Sequence, residues 1–101
     1  MNKAASRGDN EAHRAEILRL LVPQYPTPLT FAGLQQALVI NGHPMTSKEL
    51  VFHVTYMEEA GYVKLARDTR RGLSKILSIA ATKKGVDLHD GRIPEDPGIA
   101  L

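Results

Sequence analysis

No cysteine occurs among the 101 residues, which excludes structural disulfides, thiol catalysis and Cys-based zinc sites and fits a reducing compartment. Long hydrophobic runs are missing too. The longest apolar stretches, Ile17 to Val22 and Leu38 to Ile40, fall far short of the roughly 20 residues that cross a bilayer. The first residues lack a signal-peptide core, so a soluble cytoplasmic protein without membrane contact is expected. Chemistry is equally sparse. His13, His43, His53 and His89 show neither H-x-x-x-H nor HExxH spacing, and Ser47, Ser74 and Ser78 stand in no G-x-S-x-G context. There is no phosphate loop, no paired-carboxylate arrangement, no internal repeat and no low-complexity segment. The residues therefore point away from an enzyme, a metal site or a cofactor, and the length fits one domain with a modest core.

What is present is a succession of helix and strand signals. Residues 1–9 are small and polar, and a flexible N-terminus is expected there. From about Asn10, capped by Asp9 or Asn10, the pattern is helical: Ile17, Leu18, Leu20 and Leu21 form an apolar face opposite Glu11, Arg14 and Arg19. Pro23 stops that helix because it lacks an amide and disfavours α conformation at Val22. The proline-rich connection that follows is extended, with Thr27 to Leu29 suited to a short edge strand. Thr30 caps a second helix with Phe31, Leu34, Ala37 and Leu38 on one face, and Asn41-Gly42 ends it.

Thr46 and Glu49 form a capping box that starts a third helix at Ser47, and Leu50, Val54 and Met57 recur at helical spacing. Gly61 offers a left-handed cap, so this helix ends near Ala60. Tyr62 to Arg67 and Lys75 to Ala81 read as two strands around a charged loop with Gly72 in its turn. Thr82 caps a short last helix over Lys83 to Leu88 that Gly91 closes, and residues 92–101 form an extended C-terminal tail able to lie against a neighbour. Three helices, a two-stranded β-hairpin wing, a short C-terminal helix and a tail amount to an α+β winged helix-turn-helix domain over residues 10–91.

The passage EEAGYVKL resembles the "LxxxGLI" passage of bacterial winged-helix regulators, and AATKKGVDLHDG is similar to their "LTxxGxxxxxG" signature. Thr82, Gly85 and Gly91 match that signature, while Ala81 stands where leucine is usual. More narrowly, GHPMTSKELVFHVTYMEEAGYV and the GRIPEDPG tail look like the small winged-helix proteins of Mu-like prophages. The resemblance implies a DNA-binding transcriptional regulator of prophage type that points the N-terminus of helix three into a groove.

Charge is unevenly spread although the net value is only +2. Residues 62–84 hold seven basic side chains against one acid, whereas 23–61 and 85–101 are both net acidic. A basic tip at Arg70-Arg71-Gly72 suits a phosphate backbone or minor groove, and equally suits a solvated turn that discourages edge pairing. Candidate contacts to double-stranded DNA are Ser47, Lys48, Thr55 and Tyr56 on the third helix with Arg67, Arg70, Arg71 and Lys75 on the wing. A homodimer is expected, because duplex sites are commonly two-fold symmetric. The wheel of the third helix turns Lys48, Phe52, Thr55, Tyr56 and Glu59 outward, with one base among them. Phe52 and Tyr56 also fit a protein interface, to a dimer mate or to a phage or host protein in development or assembly. A third option is that the tail covers them.

Overall fold

Threonine opens three of the helices and glycine closes them. The structure is a computed structural model that describes residues 3–72 and 74–101, with side chains described for 9–72 and 74–101. Its elements run α1 (Lys3–Leu21), β1 (Leu29–Thr30), α2 (Phe31–Ile40), α3 (Ser47–Glu59), β2 (Val63–Asp68), β3 (Lys75–Ala81) and α4 (Lys83–His89). Four α-helices and a three-stranded antiparallel sheet are thus present among the described residues. Thr30, Thr46 and Thr82 each accept a hydrogen bond from the amide three residues on, at Gly33, Glu49 and Gly85. At α3 the box is complete, since the Thr46 amide donates to Glu49 Oε1 at 2.8 Å. Helices leave their first amides without partners, and a threonine that fills one contributes about 1 kcal/mol.

At the far ends Gly42, Gly61 and Gly91 take φ values of +84°, +89° and +77°. The left-handed turn lets two amides reach back to two carbonyls: Gly61 to Glu58 and Tyr62 to Met57 after α3, both at 2.9 Å. The same pair of bonds closes α2 through Gly42 and His43, and α4 through Gly91 and Arg92. These short closures turn the chain sharply, so α2, α3 and β2 follow one another with few linking residues.

The sheet order is β1-β3-β2, with β3 in the centre. Val63 pairs with Ala81 and Leu65 with Ile79, and an irregularity between Ala66 and Arg67 shifts the register so that Arg67 faces Ile76. Leu29 and Thr30 pair with Ile79 and Ser78 on the other side. The edge strand expected at Thr27 to Leu29 is displaced toward the helix, because Pro26 and Pro28 have no amide to give a ladder. Leu18 and Leu21 of α1, Leu34 and Leu38 of α2, and Leu50, Val54 and Met57 of α3 are fully buried in one core with Ile79.

Three expectations need correction. α1 starts at Lys3 rather than near Asn10, so Asp9 and Asn10 lie inside it. Ala4, Ala5 and Arg7 favour helix, no proline intervenes, and Gly8 costs only about 1 kcal/mol. Of the expected flexible stretch 1–9, residues 1 and 2 lie outside the described residues. Arg14, expected on the solvent face, is buried. It stands four and seven residues before Leu18 and Leu21, hence on their stripe.

The tail, expected extended and free to meet a neighbour, folds back on the domain. The Ala100 amide donates to the Glu11 carbonyl at 3.1 Å, Ile99 is buried, and the Tyr62 hydroxyl donates to Asp96 at 2.8 Å. Desolvation, then that hydrogen bond and the Asp96 charge, push the Tyr62 hydroxyl up to about 12. Gly98 is pressed against the Tyr56 ring: a Cβ there meets the Tyr56 hydroxyl and lies 2.8 Å from Cζ. Gly98→Ala should therefore loosen residues 96–101, speed amide exchange at Ala100 and lower stability by about 1 kcal/mol, since the tyrosine tip can yield. Unchanged exchange at Ala100 would mean that the tail is not held by this contact.

Candidate nucleic-acid interface

The capping box leaves Thr46, Ser47 and Lys48 exposed at the head of α3. Ser47 Oγ shares a hydrogen bond with Gln35 of α2, whose Nε2 lies 3.3 Å away and also donates to the Met45 carbonyl at 3.1 Å. Ser47 thus braces the turn between α2 and α3 while its edge faces solvent. Along the helix, Lys48 and Glu59 are exposed, and Phe52 keeps 56% of its surface in solvent. Val51, not expected on this face, is 40% exposed. Thr55 and Tyr56 are only partly accessible.

Tyr56 is covered from two sides. The Arg14 guanidinium lies 3.8 Å from its ring centroid and Gly98 packs on its hydroxyl end. This is the third option open in the sequence, realised for Tyr56 and not for Phe52. Tyr56 is therefore a poor candidate for a free DNA or protein contact.

Arg14 joins a polar cluster that periodicity did not reveal. Its Nε donates to His53 Nδ1 at 3.2 Å and its Nη1 donates to the Gly98 carbonyl at 3.3 Å. His53 is buried, and the bond from Arg14 requires its own proton to be on Nε2. Burial, followed by the charges of Arg14 and His13, pushes His53 down to about 4, against a small opposing effect of Glu49. His13 and His43 face each other through their Nδ1 atoms at 3.0 Å. Among the described residues no group of three or more His, Cys, Asp or Glu side chains is gathered as metal ligands would be.

The β2–β3 hairpin is less free than its charge count suggests. Its tip, Arg70 to Gly72, is a tight turn in which Arg71 and Gly72 take φ of 57° and 72°. Arg67 makes two bonds to Glu58 of α3, at 2.9 and 2.7 Å, which hold the Glu58 carboxyl below its ordinary value. Arg70 makes two bonds to Asp68, at 2.9 and 2.8 Å, and also donates its amide, so Asp68 is likewise lowered. Two of the four expected wing contacts thus already have carboxylate partners from residues close by. Arg71 and Lys64 are exposed and enter no ion pair among the described residues. Lys75 is exposed too, but it stands opposite Asp68 across the ladder and its charge helps to lower that carboxyl. Such exposed pairs contribute little and exchange readily for phosphate, so they reduce the wing's field without removing it.

No helix among the described residues is long and apolar enough to cross a membrane. Comparison with protein-family models, with curated proteins and with solved structures gives no match to this chain.

Proposed function

We propose that the chain is a winged helix-turn-helix protein that binds double-stranded DNA, with α3 as recognition helix and the β2–β3 hairpin as wing. The observation that carries this reading is the combination of an exposed α3 head, Ser47 and Lys48, with a hairpin that holds Lys64 and Arg71 outside any ion pair among the described residues and keeps Lys75 exposed. Arginine and lysine neutralise phosphates, and a helix N-terminus carries partial positive charge that Glu49 here partly offsets, so the hairpin is the stronger of the two features. The resemblance to winged-helix regulators, and to those of Mu-like prophages, adds a regulatory role and a homodimer on a two-fold site.

Titration with mixed-sequence duplex at two salt concentrations tests it. Arg71→Ala with Lys75→Ala should weaken non-specific binding and reduce the salt slope by ~1 to 2, with folding unaffected. Arg70→Ala should do less, because Asp68 already holds that guanidinium. A parent protein that ignores duplex at low salt would end the DNA reading. A second reading, favoured by the exposure of Val51 and Phe52, is a module whose α3 face meets a phage or host protein. Phe52→Ser would then abolish a partner contact or a dimer without touching DNA binding.

A further inference from the structure

The apolar character of the α3 face is its least expected feature. Leu50, Val54 and Met57 are fully buried, so the core has no need of Val51 and Phe52, yet both project into solvent between Lys48 and Thr55. Lys48 is the one side chain on that face of a kind that reads guanine, and no arginine, asparagine or glutamine joins it. Val51 and Phe52 carry no donor or acceptor for a base edge. The one apolar feature a major groove displays is the C5 methyl of thymine.

Resting on the duplex-binding reading above, we infer that Val51 and Phe52 read thymine methyl groups in the major groove and give the protein its sequence preference. Charge fixes which half of the helix enters. Lys48 offsets Glu49 of the capping box at the N-terminus, whereas the other end carries Glu59 and a Glu58 already engaged with Arg67, so phosphates are repelled less from the N-terminal half. The N-terminal half, with Ser47, Lys48, Val51 and Phe52, is then nearest the bases. The Phe52 ring is also held before any ligand arrives. The His53 ring packs against it at 5.3 Å between centroids, inclined by 65°, and the Arg14 guanidinium lies 5.5 Å from its centre. A ring steadied on one side and open on the other loses little freedom when a methyl covers it.

The test selects duplexes from a random-sequence pool with the whole chain, then compares the selected duplex with a copy carrying deoxyuridine for thymidine. Uracil differs only by the missing methyl, and each contacted methyl removed should weaken binding about three- to fivefold. Val51→Ala with Phe52→Ala should bind both copies equally, and circular dichroism should show that it is folded. Val51→Ala alone, which disturbs no ring contact, should lose part of the discrimination. Equal binding of thymidine and deoxyuridine duplexes by the parent overturns the methyl readout and leaves the DNA reading standing. A pool from which no duplex is retained at low salt overturns both.

Discussion

Gly85→Ala should cost at least about 3 kcal/mol and lower the melting temperature by well over 10 °C, the largest effect expected of any single methyl group in this protein. Gly85 is buried near the start of α4. A Cβ placed on it runs into the carbonyl oxygen of Tyr62 and comes within 3.3 Å of Leu18 Cδ1. That carbonyl cannot turn aside, because it accepts the Thr82 amide at 3.0 Å, and the Thr82 hydroxyl is bonded to the Gly61 carbonyl at 2.6 Å. Gly61 and Tyr62, which follow α3, are thereby locked to the head of α4 in one knot that has no room for a side chain. Gly42→Ala is the matching control. Nothing lies within 4 Å of its added Cβ, so only the left-handed φ is penalised and the loss should be about 1 kcal/mol. Thermal and urea unfolding of both variants measures the difference. Equal losses would mean that α4 does not approach β2 this closely.

Acid should destabilise the fold well before its carboxylates titrate. The folded pKa of His53, about 4, lies below the ordinary value of 6.5, so the folded state binds this proton less readily than the unfolded chain does. The stability associated with neutral His53 is complete above pH 6.5. It declines as pH falls and is gone below about 4, a loss on the order of 3 kcal/mol. The cause is local: protonation puts a cation into a buried site against Arg14 and removes the acceptor of its Nε. His53→Asn keeps an oxygen for Arg14 and cannot titrate. Its unfolding free energy should vary less between pH 6.5 and 4 than that of the parent, by about the same amount. Parallel curves for the two proteins would show that His53 is already charged or already solvated in the native state.

Local chemistry explains how much of the fold was legible. Thr30, Thr46 and Thr82 announce helix starts, and Gly42, Gly61 and Gly91 announce ends, because each is decided by hydrogen bonds within about four residues. Lys75–Ala81 was readable as a strand for the same reason, being an apolar run between turn signals. The spacing of Arg14 to Leu18 and Leu21 marks it as inward-facing, whereas its charge argues for solvent. The ring of Tyr56, the acceptor on His53 and the Gly98 carbonyl offset its burial. No sequence period brings those three together. The tail was illegible in a different sense, since Ile99 is one apolar residue in a stretch without periodicity, and its partners Glu11, Arg14 and Tyr62 are distant in the chain. The partnering of Arg67 by Glu58 also spans two elements. Glu58 and Arg67 fall in different charge segments of the sequence, so the segment totals exceed the charge that the β2–β3 hairpin leaves unpartnered.

The central position of β3 has a consequence for truncation. Both ladders of the sheet, β1 to β3 and β3 to β2, depend on residues 75–81. Without that strand neither ladder can form, and Leu29, Val63 and Leu65 have no strand to lie against. Ile79 is the shared partner of Leu29 and Leu65, so losing this one strand opens two seams of the core at once.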